Sequence, residues 1–144
     1  MEVSKKISII ICFLFIAIYG QAAEPQNNLG RSFRSMKSEW QDLRYIKQRD
    51  GRSIWGVKDE VATFIFGFVN ETVVEEHMLV ESNNGFAQEW YEAMLNSFLK
   101  TECSSITRTS NGYTFHYSYF HINITYSSDY SGETALISWL FNNQ

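Results

Sequence analysis

The chain is short of cysteine, proline and histidine, and each scarcity removes a class of protein. Of its two cysteines, Cys12 lies in an apolar N-terminal run, which leaves Cys103 alone to the folded part. One thiol makes no intramolecular disulfide, so a disulfide-stapled scaffold is excluded even in an oxidising compartment. The single proline, Pro25, precedes the first periodic pattern, and from Asn27 to Gln144 no proline-rich linker divides the chain. His77, His116 and His121 are the only histidines. His77 follows Glu75 at strand spacing with Glu81 beyond, but an ordinary solvated strand face explains that pattern without a metal ion. Gly-x-Ser-x-Gly elbows, phosphate loops and His-Glu-x-x-His helices are missing too, so no catalytic residue, metal or cofactor is assigned.

What is present begins at the N-terminus. Lys5 and Lys6 lead into the apolar run Ile7 to Tyr19, which ends in the small-residue stretch Gly20-Gln21-Ala22-Ala23. Charged, apolar and cleavable segments in that order describe a signal peptide over residues 1–23. The run is shorter than the roughly 20 apolar residues a membrane-spanning helix needs. Cys12 stands behind Ile9, Ile10 and Ile11, where a lipoprotein requires a small residue, so no lipid anchor is expected. The expected product is exported to the periplasm or cell exterior without a stable membrane anchor. Residues 24–30 are expected to be disordered, and 31–144 to form one domain.

Packing must hold that domain together, and the aromatics supply it: Trp40, Trp55, Trp90 and Trp139 are spread along it with many Phe and Tyr between them. Charge is divided unevenly. Residues 31–58 carry a net +5 and residues 59–144 a net −9. The two blocks attract one another within one fold, and any surplus on the first makes a basic face for an anionic partner. Nucleic acid is excluded as that partner because the whole chain is acidic and exported.

Phe33, Met36 and Trp40 predict a short amphipathic helix over 31–42, started by Ser32 or Gly30. Alternation then predicts strands over 43–49 and 53–57 around an Asp50-Gly51 turn, and over 61–69 and 72–81 around Asn70-Glu71. Phe86, Trp90, Met94 and Phe98 recur every four residues and mark the strongest helix. Strands resume over 104–109 and, after Asn111-Gly112, over 113–126. There the bulky residues change from odd to even positions, which requires a bulge or break near Ser118 to Phe120. Residues 133–141 form the last strand. The fold class is α+β: an antiparallel sheet of seven or eight strands with two helices.

Gly51 and Gly112 are 61 residues apart, and Glu71-Thr72 and Glu133-Thr134 are 62 apart, so the order of elements suggests a tandem α-β4 repeat. With Gly30-Arg31-Ser32 opening the first helix, Trp40 near its end and the Asp50-Gly51 turn, the chain resembles the β-lactamase-inhibitor-protein fold and the small outer-membrane assembly lipoproteins related to it. The resemblance implies helix-plus-four-strand architecture and non-catalytic protein binding. It transfers no site residue, since the inhibitors' disulfides and the lipoproteins' lipobox are both missing here.

Two surfaces are candidates for binding. The row Tyr113, Phe115, Tyr117, Tyr119 either faces a partner or packs beneath the helix stripe Phe86 to Phe98, and so apolar a helix needs a sheet face to cover it. The basic stretch contributes Arg31, Arg34, Arg44, Arg49 and Arg52. The expected function is non-catalytic binding of a protein or cell-envelope component. A small-ligand or glycan binder is the alternative, which a concave aromatic pocket with a polar rim favours, and an unrecognised hydrolase is the second.

Overall fold

The computed structural model describes residues 27–142; the expected signal peptide lies outside them. Helix α1 (Phe33–Glu39) is followed by strands β1 (Arg44–Arg49), β2 (Arg52–Lys58), β3 (Thr63–Val69) and β4 (Thr72–Ser82). Helix α2 (Phe86–Leu99) is followed by β5 (Ser105–Arg108), β6 (Gly112–His116), β7 (Phe120–Asp129) and β8 (Gly132–Phe141). All eight strands form one antiparallel sheet in the order β1-β2-β3-β4-β8-β7-β6-β5. The architecture is thus α+β, with two consecutive helix-plus-four-strand units joined through β4 and β8. His77 pairs with Ser138 at the centre of that junction.

Local chemistry explains the boundaries. Ser32 is extended, and its Oγ accepts the Ser35 amide at 3.1 Å, which starts α1. The helix stops at Glu39, short of the expected Asp42, because Trp40 leaves helical geometry and brings its ring to within 4.8 Å of Phe64 and 5.8 Å of Phe66. At the start of α2, Gly85 takes φ +86°, Ser82 Oγ accepts the Ala87 amide, and Glu133 accepts the Gly85 amide. The buried stripe Ala87, Trp90, Met94, Phe98 has the spacing of one helical face.

Both helices lie on the same side of the sheet. Met36 joins Leu43, Phe66, Phe68 and Val73 in one core, while α2 covers a larger one that includes Val80, Phe115, Ile122, Ile124, Ile137 and Trp139. Residues 27–30, expected to be disordered, are tied to β4. Asn28 donates its main-chain and side-chain N–H groups to Glu76 at 2.8 and 2.9 Å, and the Gly30 amide reaches the Val73 carbonyl.

The phase change at Ser118 to Phe120 is a chain reversal between β6 and β7. It pairs His116 with His121, ring centroids 6.2 Å apart, although a single strand would have put them on opposite faces. Gly112, expected in a turn, instead begins β6 opposite Thr125, where a Cβ would lie 1.8 Å from the Ile124 carbonyl oxygen. Gly112→Ala therefore forces two backbones apart. It is expected to cost about 2 kcal/mol, read as a melting temperature lower by about 8 °C.

Candidate functional site

The helices leave the other face of the sheet uncovered, and the ladders align its residues in lines across all eight strands. One line runs Arg44, Gly56, Ile65, His77, Ser138, Asn123, Thr114, Thr107. The next runs Lys47, Ile54, Gly67, Glu75, Leu140, His121, His116, Ser105. All three histidines of the chain stand on this face. A register shift in β1 between Tyr45 and Lys47 inserts Ile46, whose side chain lies over Gly56 and is 53% exposed.

At its centre a carboxylate is held from three sides. Glu75, with a 3% exposed side chain, accepts from Arg49 Nη2 at 2.7 Å and from Arg52 Nη1 at 2.5 Å. His77 Nε2 stands 3.8 Å away, while its Nδ1 shares a hydrogen bond of 2.7 Å with Ser138 Oγ. His77, then the arginine charges of Arg52 and Arg49, hold the Glu75 carboxyl down to about 2 against the opposing effect of burial. Gly67 makes the arrangement feasible, since a Cβ there would lie 2.4 Å from Glu75 Cγ. The glycine inside the Phe64-Phe66-Phe68 run was the sequence signal for this close approach, and sequence reasoning passed over it.

Glu75 and Glu76, adjacent in β4, point to opposite faces as strand geometry requires. Glu76 lies on the helix side opposite Trp139, and burial raises its pKa despite the two hydrogen bonds from Asn28.

Ser138 and His77 in one line with Glu75 in the next invite comparison with a nucleophilic triad, but the chemistry is poorly served. Ser138 is 6% exposed in mid-strand, and the main-chain amides around it are spent on the ladders to β4 and β7. An oxyanion formed there would lack the paired amide donors such a reaction uses. Among the described residues no group of three His, Cys, Asp or Glu side chains is placed to hold a metal ion. Cys103 is a free, half-buried thiol packed against the larger core.

The expected aromatic row is divided by burial. Phe115 and Tyr117 are core residues, with Phe115 5.7 Å from Phe98 of α2, and Tyr113 is half-buried against the same core. Packing beneath the helix accounts for these three, and none offers a partner an open ring. Tyr119, in the β6–β7 turn, is 76% exposed.

The basic stretch divides too. Arg31 is committed to Asn28, Ser35 and Glu39, and Arg49 and Arg52 to Glu75. Arg34 on α1 and Arg44 on β1 are exposed, as is Lys47. Of these three exposed cations, Arg44 and Lys47 lie on the uncovered face.

A second feature lies on the helix side, at the end of the sheet formed by the β1–β2 and β3–β4 turns. A cavity of about 300 Å³ is lined by Phe33, Gln48, Ser53, Trp55, Phe68 and Glu71, together with Gly51 and Asn70 of the two turns. Phe33 packs 4.7 Å from Trp55 and 5.2 Å from Phe68, so its floor is aromatic.

No family model matches the chain, and no curated protein sequence matches it. Among solved structures it is similar to a cysteine-rich secretory protein from Staphylococcus aureus subsp. aureus Mu50, with a TM-score of 0.49 and 13% identity over 80% of this chain. The chain spans 45% of that protein's length. A likeness of this size carries neither residue roles nor activity across. Among the described residues, no helix is long and apolar enough to cross a membrane.

Proposed function

We propose that this is a small exported, non-catalytic binding protein that takes an acidic protein surface on its uncovered sheet face. One observation carries the reading: both helices pack on one side of an eight-stranded sheet, and among the described residues the opposite side has no covering element. Around the central Glu75, His77 and Ser138 that face carries the apolar side chains of Ile46, Ile65, Leu79, Leu136 and Leu140, half-buried except for the more exposed Ile46. Arg44 and Lys47 form a cationic margin beside it on β1, the Glu75 carboxylate within it is already matched by two arginines, and the exposed Glu81 stands apart, four residues along β4 from His77. An apolar patch rimmed by unmatched positive charge suits an acidic partner. Export rests on the charged, apolar and small-residue order of residues 1–23.

The test compares the wild-type mature chain with Arg44→Glu/Lys47→Glu as bait for the exported proteins of the same cell. The expected result is an acidic protein that binds the wild type saturably and the variant at least roughly tenfold more weakly, with melting temperatures unchanged. A partner retained equally by both baits overturns the proposal, as does the absence of any saturable exported partner.

A further inference from the structure

We propose that the cavity between α1 and the two hairpin turns binds a single neutral pyranose ring, on the opposite side of the sheet from the protein-docking face. The pocket is preformed. Asp50 and Gly51 take φ +50° and +77°, and Asn70 and Glu71 take +48° and +61°, so both hairpins are tight turns of fixed shape. The second turn is fastened to α1 by the Phe33 amide, which donates to the Glu71 carbonyl at 2.6 Å, and by the bridge between Ser32 and Thr72. Trp55 is held from two sides, by Phe33 and by Tyr45, whose ring centroid lies 5.6 Å away.

The lining selects the ligand. Its floor is aromatic, and a ring face attracts the C–H groups on one side of a sugar through its negative quadrupole. Around that floor stand Gln48, Ser53, Asn70 and Glu71. Their side chains make no hydrogen bond to another described residue, so two amides, a hydroxyl and a carboxylate remain for ligand hydroxyls. Strand alternation sends Arg49 and Arg52 to the other face, where they hold Glu75, and Glu71 is the one charged residue among those lining the cavity. An anionic ligand therefore finds no counter-charge. A quaternary ammonium would suit the rings and Glu71 but would leave the amides and hydroxyl unpaired, whereas a polyol pairs with them all. The volume is at the small end of ligand pockets, which fits one ring with the rest of a chain outside.

The test is a titration of ¹⁵N-labelled mature chain with cellotetraose, chitotetraose and choline, followed by NMR. The expected result is saturable shifts with at least one tetrasaccharide at the Trp55 indole and the Gln48 and Asn70 side-chain amides. Gln48→Ala and Asn70→Ala, both solvent-facing, should each weaken binding roughly fivefold; the melting temperature should be unchanged in Gln48→Ala and lowered in Asn70→Ala, where alanine must take the positive φ of the turn. Three outcomes overturn the proposal: no saturable shift with either sugar up to about 10 mM; affinity equal to the wild type's in both alanine variants; or tighter binding of choline than of either sugar. Because Arg44 and Lys47 lie on the other face, Arg44→Glu/Lys47→Glu should bind sugar as the wild type does, which keeps this result separate from the docking test.

Discussion

Tyr117→Ala is expected to cost about 4 kcal/mol, seen as a melting temperature lower by roughly 15 °C. The ring is 3% exposed and stacks on Phe120 at 4.8 Å with planes 13° apart. Its hydroxyl shares a 2.6 Å hydrogen bond with Thr101 just beyond α2, and its amide donates to the Phe120 carbonyl across the chain reversal. Truncation thus opens a cavity, removes one of the two hydrogen bonds of the Thr101 hydroxyl, which keeps the Phe98 carbonyl, and loosens the turn that sets the register of β6 and β7. Tyr117→Phe keeps the ring and should lose only about 1 kcal/mol. Tyr119→Ala, two residues on, should change stability by no more than about 0.5 kcal/mol. Thermal melts followed by circular dichroism separate the three, and a Tyr117→Ala protein melting like the wild type would return Tyr117 to the surface.

That contrast shows what was legible in the sequence. Alternation identifies a strand with one face more buried than the other, and Phe64, Phe66 and Phe68 display it clearly. It does not say which aromatic row a helix will cover, because a buried row and an exposed binding row read alike. The four-residue recurrence in α2 was a stronger signal, since Ala87, Tyr91 and Leu95 widen the stripe of Phe86, Trp90, Met94 and Phe98, and only a helix brings such adjacent pairs to one side. The odd-to-even switch at Tyr119 and Phe120 was equally visible. Whether it meant a bulge or a reversal depended on β7 folding back on β6, and Tyr117-Ser118-Tyr119 carries no Gly, Asn or Asp to signal a turn.

The sites were less legible for the same reason. Adjacency alone put Glu75 and Glu76 on opposite faces, but nothing local assigned them partners. Arg52 and Arg49 lie 23 and 26 residues before Glu75, and Asn28 lies 48 before Glu76. The expectation of disorder failed for residues 27–30 on that last pairing: a polar stretch without periodicity is tied down by one buried carboxylate. The basic block likewise proved to be two things, an internal counter-charge for Glu75 and an exposed margin at Arg44 and Lys47. Composition counted them together because charge has no direction until the strands are paired.

Glu75→Gln and Glu76→Gln should shift the pH dependence of stability in opposite directions. Glu75 has its pKa lowered from 4.5 to about 2 by His77, Arg52 and Arg49. Its contribution is therefore complete above about pH 4.5, where the unfolded carboxyl is also ionised, and is lost as pH falls towards 2. Removing that charge strands two arginines, so Glu75→Gln should cost about 3 kcal/mol at pH 7, with the deficit shrinking in acid. For Glu76 the sign reverses. Burial raises its pKa, more than offsetting the hydrogen bonds from Asn28 and the charges of His77 and Arg31, so the fold favours the neutral carboxyl. As pH rises above 4.5 the unfolded chain ionises freely and the fold resists, and stability is lost. A glutamine at position 76 cannot ionise, so Glu76→Gln should gain on the wild type as pH rises, whatever fixed penalty its altered hydrogen bond to Asn28 imposes. Urea unfolding from pH 3 to 8 reads both differences, and parallel profiles for the two variants would contradict the assignment of one carboxylate to each face.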